Sequence, residues 1–404
     1  MPLDRDLQSI QEIRSLVTQA KAAHAQMRDL DQAAIDRIVE AMVEAGYRAS
    51  AELGQLAVAE TTYGKPQDKR IKNEFGSRVV GEAIRGMKTI GYLGQDTARR
   101  VLEFGWPYGV IGAVLPTTNP TSTMFYKAII AVKAGNALVA SPHPNAVRCT
   151  HAALEVVARA AESAGLPKGA LACATTVSLQ GTQELMRHKD IDLILATGGK
   201  DMVKAAYSSG KPAYGVGPGN VPVYVDRSAD IPTAAKRILI GKSFDWGTLC
   251  SSEQTIVADR PIAEQLKREL VANGAYWLSP EQAKAVERAL IEPNGRVNVK
   301  LVGHSPQAIA EAAGFSVGPE IRALVAPVGG VGREYPLSLE KLSPVLAFIQ
   351  REGWEAGCHA CIDLLKVGGE GHTLGLYCTD ESVIMEFGLK KPVFRICVNT
   401  PTSI

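Results

Sequence analysis

Residues 110–133 read VIGAVLPTTNPTSTMFYKAIIAVK and run from an apolar, β-branched segment through a Pro-Thr-Thr-Asn-Pro turn into an amphipathic helix. The same alternation of short strand and helix continues along the chain. The predicted strands of this series lie at 110–115, 137–141, 171–175, 191–196 and 221–226. Strands that alternate with helices are typical of a parallel sheet with helices on both faces. The sequence therefore predicts an α/β fold.

Polar turns follow three of these strands. They read PTTNP at 116–120, SPHP at 141–144 and TGG at 197–199. Parallel sheets bind ligands beyond the carboxyl ends of their strands, so we predict a ligand cleft along this edge. The TGG turn leads into a helix at 202–208, whose N-terminus would face a phosphate. A plain tight turn is the alternative interpretation.

A second series of strands follows, predicted at 324–326, 345–348, 373–377 and 393–398. We place the domain boundary near Ser243, which gives a first domain over 1–243 and a second over 244–404. Two further segments carry open interpretations. The glycine cluster GVGPGN at 215–220 either lets the backbone pass close to a ligand or nucleophile, or crosses between domains. The charged stretch QDKRIK at 67–72 is interpreted as a solvated helix face.

Composition excludes several classes of protein. The 404 residues include 44 basic and 42 acidic side chains, for a net charge of +2, so no polyanionic partner such as nucleic acid is expected. Seven scattered cysteines are typical of a reducing cytoplasm. No stretch reaches the run of about 18 apolar residues that a membrane helix needs, and the N-terminus does not resemble a secretory signal. We therefore expect a cytoplasmic protein without membrane association.

The segment FDWGTLCSSEQTIV, residues 244–257, contains the candidate nucleophile Cys250. Gly247 lets the backbone bend ahead of the thiol, and small polar neighbours leave room for another molecule. A thiol near pKa 8.5 is only about a few per cent ionised at neutral pH, yet it is strongly nucleophilic toward carbonyl carbon. An inert core thiol is the alternative, because free cysteine is among the most buried residue types.

Other candidates carry weaker signals. Cys358 and Cys361 have C-x-x-C spacing, but a second matched pair is missing, so we expect no metal. His372, in GGEGHT at 368–373, is interpreted as a solvated loop histidine or as a general base. Glu340, before a predicted strand, is expected to be a surface carboxylate.

Nine ordered motifs together resemble those of the CoA-acylating branch of the aldehyde dehydrogenase superfamily. They are 114–124 (VLPTTNPTSTM), 141–144 (SPHP), 195–200 (LATGGK), 204–212 (KAAYSSGKP), 215–222 (GVGPGNVP), 250–254 (CSSEQ), 340–345 (EKLSPV), 371–373 (GHT) and 399–401 (NTP). The resemblance covers nearly the whole chain. It implies two Rossmann-like three-layer domains, the first dinucleotide-binding and the second catalytic, and a β-ribbon at about 99–108 that projects toward a partner subunit.

The resemblance implies a role for each matching residue. Cys250 attacks an aldehyde to form a thiohemiacetal, and the Asn119 amide with the Cys250 backbone N–H forms the oxyanion hole. Hydride transfer to NAD leaves a thioester on the cysteine. The cofactor-binding positions implied by the motifs are Thr117, Ser141, His143, Pro144, Thr197, Gly198, Gly199, Gly217, Glu340, which holds the nicotinamide ribose, and Leu342.

Position 216 separates two outcomes for the thioester. Relatives that release a free acid carry a glutamate base there, whereas this chain has Val216. Valine does not activate water, so the resemblance implies transfer of the acyl group to CoA, with His372 assisting. A hydrolytic dehydrogenase and a non-catalytic nucleotide-binding relative are the alternatives.

Two departures from the family pattern bear on cofactor and assembly. Hydrolytic relatives bind the adenosine ribose with a lysine and a glutamate where this chain has Ser141 and Pro144, so NADP stays an alternative to NAD, with Arg148 nearby.

Family members also continue for several dozen residues beyond 401, through a strand that pairs with another subunit. We expect the catalytic domain to lack that segment, and a homodimer or homotetramer if it is present or replaced. The aldehyde stays open among acetaldehyde, propionaldehyde and sulfoacetaldehyde, and no tag for a bacterial microcompartment is visible.

Overall fold

The computed structural model describes residues 4–403, and the chain divides into two compact units between Val216 and Gly217. The predicted boundary near Ser243 is wrong, because the strand Val221–Val225 pairs with strands of the second unit. A strand that is buried on both faces reads as a continuous apolar run, and that pattern does not reveal which sheet it joins. The helix Ile231–Ser243 also belongs to the second unit.

The first unit places helices on both faces of a parallel sheet. Its helices are α1 (Arg5–Met27), α2 (Gln32–Arg48), α3 (Ser50–Thr61), α4 (Pro66–Glu74), α5 (Val80–Ile84), α6 (Pro120–Lys133), α7 (Val147–Ser163), α8 (Leu179–Arg187) and α9 (Lys200–Tyr207), with a π-helical turn at Phe75–Val79. Its strands are β1 (Gly91–Asp96), β2 (Val101–Gly105), β3 (Val110–Val114), β4 (Ala137–Ser141), β5 (Leu171–Cys173), β6 (Leu193–Thr197) and β7 (Ala213–Val216).

The first sheet has the strand order β5-β4-β3-β6-β7. The chain moves outward from β3 to β5 and then returns to β6 on the other side of β3. Ligands of doubly wound sheets bind where the strand order reverses, here at the carboxyl ends of β3 and β6. The predicted cleft edge therefore coincides with the switch point of the sheet.

Strands β1 and β2 form an antiparallel ribbon separate from the main sheet, paired from Gly91 with Gly105 to Asp96 with Val101. The ribbon begins at Gly91 rather than near residue 99. The sequence did not reveal its first strand, because that strand contains two glycines and no β-branched residue. Tyr92 and Phe104 pack edge to face across it at 5.7 Å, and both are exposed.

The second unit repeats the layered arrangement. Its helices are α10 (Ile231–Ser243), α11 (Ala263–Ala272), α12 (Pro280–Leu290), α13 (Pro306–Ala312), α14 (Gly353–Gly368) and α15 (Glu381–Lys390). Its strands are β8 (Val221–Val225), β9 (Glu253–Asp259), β10 (Ala275–Trp277), β11 (Ala323–Pro327), β12 (Val345–Arg351), β13 (Thr373–Tyr377) and β14 (Arg395–Val398).

The second sheet has the order β10-β11-β12-β9-β8-β13-β14, with parallel pairing throughout. Strand β8 is buried on both faces: Val223 and Val225 point into one core and Tyr224 into another, where it stacks on Phe387 at 5.0 Å. Apolar layers on both sides hold β8 and β9 rigidly, and β9 begins three residues after Cys250. Within residues 4–403, none of the helices has the length and apolar character to span a membrane.

Candidate active site

Cys250 lies in a tight turn between α10 and β9. The turn begins with three residues in left-handed backbone conformation: Asp245 (φ 49°), Trp246 (φ 50°) and Gly247 (φ 70°). A Cβ on Gly247 would lie 2.8 Å from the Ser343 carbonyl oxygen, so this position requires glycine. Left-handed residues other than glycine cost about 1 kcal/mol or more each and cluster at functional sites. The strained turn thus presents the thiol at the amino end of a buried strand.

Cys250 differs from most cysteines of the chain in its exposure. It is partly exposed, as is Cys397, whereas the other five are buried. Burial raises the pKa of the Cys361 thiol to about 12 and that of Cys149 to about 12, which makes both unreactive at neutral pH. Cys397 lies on β14, and burial raises the pKa of its thiol as well. Cys250 is therefore not the packed core thiol of the alternative interpretation.

The glycine cluster passes directly over the Cys250 turn. A Cβ on Gly219 would lie 1.9 Å from the Cys250 carbonyl oxygen and 3.1 Å from Cδ2 of His372. Only a residue without a side chain allows this approach. Both interpretations of the cluster hold, because the loop also starts at the division between the two units. Gly219 brings Cys250 and His372, far apart in sequence, into contact with one stretch of backbone.

His372 is partly buried and its ring is neutral at physiological pH. Desolvation, with a smaller contribution from the Arg395 charge, lowers the pKa of the imidazole to about 4. Its Nδ1 lies 3.0 Å from the Thr373 hydroxyl oxygen, to which Arg395 Nε donates at 3.3 Å. Nε2 is buried and has no hydrogen-bond partner among the described residues. The interpretation as a solvated loop histidine is therefore wrong.

Glu340 is not the surface carboxylate that the sequence suggested. Its Oε1 accepts a hydrogen bond of 2.9 Å from the backbone N–H of Gly219. Burial raises the pKa of this carboxyl to about 7, against the opposing effects of that hydrogen bond and of nearby Lys242 and Lys341. Glu340 thus contacts the same loop that crosses Cys250, and it changes protonation state near neutral pH.

Two buried lysines fix the Glu340 segment, and sequence reasoning missed both. Lys341 is fully buried, and its Nζ donates to the backbone oxygens of Leu337 (2.6 Å), Leu339 (2.7 Å) and Gln254 (3.3 Å). Lys242 Nζ lies 3.3 Å from Gln254 Oε1. Desolvation lowers the pKa of Lys341 well below its usual range and that of Lys242 to about 7. No sequence pattern marks these lysines, because lysine is ordinarily a surface residue.

In the first unit, Asn119 caps α6, and its carboxamide has a defined orientation. Lys72 Nζ donates to Asn119 Oδ1 at 2.7 Å, and Asn119 Nδ2 donates to the Thr118 hydroxyl at 3.2 Å. Lys69 Nζ donates to the Thr118 backbone oxygen at 2.8 Å. An ammonium group only donates hydrogen bonds, so the amide oxygen must face Lys72 and the amide nitrogen must face away.

The predicted solvated face at 67–72 is wrong for its two lysines, since Lys69 and Lys72 are 1% and 7% exposed. Helix α4 packs so closely on α3 that a Cβ on Gly54 would lie 2.9 Å from the Pro66 carbonyl oxygen. This packing turns both ammonium groups toward the N-terminal end of α6. Charge density in a sequence does not show which members of a helix point inward.

The predicted dinucleotide residues of the first unit follow β3, β4 and β6. Thr117 is partly buried after β3, and His143 and Pro144 are exposed after β4. Ser141 is the exception, because it is 2% exposed and its hydroxyl lies 2.8 Å from the Thr182 hydroxyl inside the unit. The Ser141 hydroxyl therefore already has a hydrogen-bond partner within the protein.

Thr197 ends β6, and Gly198 and Gly199 connect that strand to α9, as predicted. The Gly198 N–H donates to the Val216 backbone oxygen at 3.2 Å, and Gly199 caps α9. No atom lies within 4 Å of a Cβ built on Gly199, so the backbone there is open to a bound group. Gly217 begins the second unit, where Leu342 follows Lys341 in a left-handed conformation (φ 48°).

The sequence profile of the aldehyde dehydrogenase family matches residues 6–291. This chain belongs to the aldehyde dehydrogenase family. The bifunctional aldehyde-alcohol dehydrogenase AdhE of Escherichia coli is 39% identical over 398 residues, which cover 98% of this chain and 45% of AdhE. The chain thus spans about half the length of the first curated relatives it matches.

Solved structures of family members share the fold. An acetylating aldehyde dehydrogenase from Geobacillus thermoglucosidasius has a TM-score of 0.97 and 48% identity, covering 99% of this chain and 88% of that one. A propionaldehyde dehydrogenase from Rhodopseudomonas palustris, with bound CoA and an acylated cysteine, has a TM-score of 0.86 and 28% identity, covering 96% and 88%. The aldehyde dehydrogenase fold and the resemblance to the CoA-acylating branch are confirmed.

Proposed function

We propose that this chain oxidises a short-chain aldehyde and transfers the acyl group to CoA, with NAD as hydride acceptor and Cys250 as nucleophile. The observation that carries the proposal is the surroundings of Cys250. The backbone carbonyl of Cys250, a cysteine that is partly exposed, and the neutral imidazole of His372 both lie against the same glycine, Gly219. The position where hydrolytic enzymes have a carboxylate is Val216. The acetylating relatives and the acylated cysteine of the propionaldehyde dehydrogenase support the same chemistry.

The first half-reaction begins at the sulfur. Cys250 Sγ attacks the aldehyde carbon to give a thiohemiacetal, and the negative charge develops on the former carbonyl oxygen. We assign Asn119 Nδ2 and the Cys250 backbone N–H as donors to that oxygen. A single oxyanion donor contributes about 3 to 4 kcal/mol to such a transition state. A carboxamide has two N–H groups, so the Thr118 contact leaves a second one for the substrate.

The cofactor residues fit a dinucleotide. NAD, when bound, would supply an acceptor for the hydride of the thiohemiacetal carbon, and Cys250 Sγ would then hold the acyl group as a thioester. The open backbone of Gly199 at the N-terminus of α9 suits a pyrophosphate. Glu340 would hold the nicotinamide ribose. NADP remains the alternative cofactor, because Ser141 and Pro144 offer no carboxylate against a 2′-phosphate.

The second half-reaction needs a thiol. With Val216 in place of a carboxylate, the chain has no base there to activate water, so the thioester persists until CoA attacks it. In the tautomer that carries its proton on Nδ1 and donates to Thr373, His372 has a lone pair on Nε2 for the CoA thiol proton. Attack of the thiolate on the thioester carbon then releases acyl-CoA and restores the Cys250 thiol.

Product analysis with and without CoA tests the proposal. With an aldehyde, NAD and CoA, we expect equal amounts of NADH and acyl-CoA from the chain, and little NADH beyond one equivalent per site when CoA is omitted. Free acid formed equally fast without CoA would contradict acyl transfer. Rates across acetaldehyde, propionaldehyde and sulfoacetaldehyde, all proposed as substrates, would then identify the preferred aldehyde.

A cysteine substitution tests the nucleophile. Cys250→Ser is expected to lower NADH formation by at least about 1000-fold, because removing a covalent nucleophile abolishes the acylation route. Cys397→Ser is the matched control, since Cys397 is also partly exposed, and it should keep near wild-type rates. Substantial activity in the Cys250 variant would disprove the assignment.

We further propose that the protein works in the cytoplasm as a homodimer or homotetramer and that the β1-β2 ribbon contacts a partner subunit. The exposed aromatic side chains of the ribbon, Tyr92 and Phe104, support this role, because monomers seldom expose such a cluster. Sedimentation of the chain with and without Phe104→Glu would test it, and an unchanged sedimentation coefficient would argue against the ribbon.

A further inference from the structure

A cysteine and a lysine meet in the interior of the second unit, away from the Cys250 turn. Lys391 follows α15, and its Nζ lies 2.6 Å from Sγ of Cys358 on α14 and 2.8 Å from the Cys358 backbone oxygen. Cys358 is 2% exposed and Lys391 is 8% exposed. The two side chains are 33 positions apart in sequence, so only the fold brings them together.

The pair contains Cys358, one of the two cysteines of the C-x-x-C motif that the proposed function leaves unused. Within residues 4–403, no group of three or more His, Cys, Asp or Glu side chains is placed to hold a metal ion. Cys361, one turn along the same helix, is fully buried, and burial raises the pKa of its thiol to about 12. The nitrogen of Lys391 also lies 4.5 Å from the centre of the Phe387 ring, which confines it on that side. Lys391 is thus held at the Cys358 sulfur.

We propose that hydrogen peroxide oxidises this pair to a covalent link in which one oxygen atom bridges Cys358 Sγ and Lys391 Nζ. An N···S separation of 2.6 Å is shorter than an ordinary hydrogen bond to sulfur, and a single oxygen with normal N–O and O–S bonds spans it. Oxidation of cysteine to a sulfenic acid that then condenses with a nearby nucleophile is established thiol chemistry. Hydrogen peroxide is small and uncharged, so it suits a buried thiol.

The atoms and electrons balance over three steps. One hydrogen peroxide converts the S–H group to S–OH as its O–O bond breaks, and one water leaves. A second peroxide converts the amine N–H to N–OH and releases another water. Condensation of the two hydroxyl groups forms the S–O–N linkage and releases a third water. Sulfur and nitrogen are oxidised, the two peroxides are reduced, and excess dithiothreitol returns the free thiol and amine.

The bridge would fasten α14 to the segment that supports His372. The Pro392 carbonyl, one residue after Lys391, accepts a 2.7 Å hydrogen bond from the Gly371 N–H. Gly371 has a left-handed backbone (φ 75°) and directly precedes His372. A covalent bond at Lys391 would therefore limit motion of the histidine segment. The bridge itself does not depend on the proposed function, since it forms between residues outside the Cys250 turn.

Peptide mass analysis tests the bridge directly. Trypsin releases residues 352–366, which contain Cys358, and residues 391–395, because the bond before Pro392 resists cleavage. After treatment of the full chain with hydrogen peroxide, we expect a species with the summed mass of these peptides plus one oxygen and minus two hydrogens. It should be lost on reduction, with recovery of alkylatable Cys358.

Matched variants separate the proposal from other oxidations. Lys391→Arg keeps a cationic donor near the Cys358 carbonyl but has no primary amine, so its cross-linked species should disappear. Cys361→Ser should keep it. A Cys358 to Cys361 disulfide, a linkage lacking the oxygen, or a sulfinic acid without cross-link in the folded wild-type chain would each overturn the proposal. Thermal melting of every variant identifies one that fails to fold, and the wild-type result stands without them.

Discussion

Asn119 owes its orientation to a lysine that the sequence gives no reason to single out. The Lys72 ammonium lies 2.7 Å from Oδ1, and a charged donor strengthens such a hydrogen bond. The same contact polarises the amide and makes the N–H groups on Nδ2 better donors to a negative oxygen. Lys72 therefore acts as a positioning residue for the proposed oxyanion donor.

Substitution of Lys72 tests this role. Lys72→Met should leave the amide free to rotate, lowering kcat for NADH formation by about 10- to 100-fold, short of the loss from deleting an oxyanion donor outright. KM for the aldehyde should change little, because the interaction strengthens in the transition state. Lys69→Met is the matched control, since Lys69 donates to the Thr118 backbone and not to the amide.

A double-mutant cycle between Lys72→Met and Asn119→Ala isolates the contact. We expect Lys72→Met to lower kcat much less in the Asn119→Ala background than in wild type, because both substitutions act through one amide. Additive losses in kcat would show that Lys72 only supports the fold.

The low pKa of His372 makes stability depend on pH. The folded-state value of about 4 lies below the ordinary value of 6.5, so between these values the unfolded chain binds a proton that the folded chain does not. The stability of the folded state should fall as pH falls through this window. We expect wild type to lose about 2 kcal/mol more than His372→Gln between pH 7 and 5, measured by urea unfolding. Glu340 titrates oppositely, but it is present in both proteins and cancels. Parallel losses would mean that the imidazole is hydrated.

The sequence marked Cys250 and His372 as candidates, because such residues in glycine-rich or turn contexts leave a local pattern, and the family resemblance added Asn119. Lys72 and Lys341 left none. Their roles arise from burial, and the sequence encodes burial of a lysine only through the packing of whole helices and loops around it. Ser141 shows the reverse case, a residue in a motif whose hydroxyl bonds Thr182 instead of facing outward.

The loop 217–220 is the element on which the Cys250 site depends. Gly219 of this loop packs against the Cys250 backbone carbonyl, and the Gly219 N–H donates a hydrogen bond to Glu340 Oε1. Because Lys341 ties the Glu340 segment to Gln254 on β9, the loop, the segment and the strand form one connected support. We expect a displacement of any of the three to shift Cys250, the proposed nucleophile.

An alanine at Gly219 tests this dependence. The new Cβ would lie 1.9 Å from the Cys250 carbonyl oxygen, which forces the loop away and weakens the Glu340 contact. We expect Gly219→Ala to destabilise the second unit by about 1–3 kcal/mol and to lower NADH formation at least about tenfold. Gly388→Ala is the matched control, because nothing lies within 4 Å of its Cβ. Unchanged activity of the Gly219 variant would show that the loop is mobile enough to absorb a methyl group.

Strand positions were more predictable than strand partners. Strands β4 and β13 have the predicted bounds, since each is a short apolar run between clear turn signals. Strands β7 and β10 were missed, because a glycine interrupts the first and the second is three residues long. The partner of β8 was misassigned, because pairing with β9 and β13 depends on residues that follow much later in the chain.

At the scale of the whole molecule, the two units differ in the sequence separation of the strands that pair in their sheets. The first sheet is complete within residues 110–216, so its strands pair with near neighbours in sequence. The second begins with β8, an interior strand, and is complete only after β13 pairs with β8 and β14 pairs with β13. Contacts of long sequence separation slow folding, so the second unit should form after the first.

Glu253, at the start of the strand that follows Cys250, takes a hydrogen bond of 2.9 Å from the backbone N–H of Thr402. During translation, Thr402 is added to the chain long after Cys250. In the nascent chain, Cys250 and Glu253 are therefore present before Thr402 can donate this hydrogen bond. The start of β9 therefore gains this hydrogen bond only after nearly all of the second unit has been synthesised.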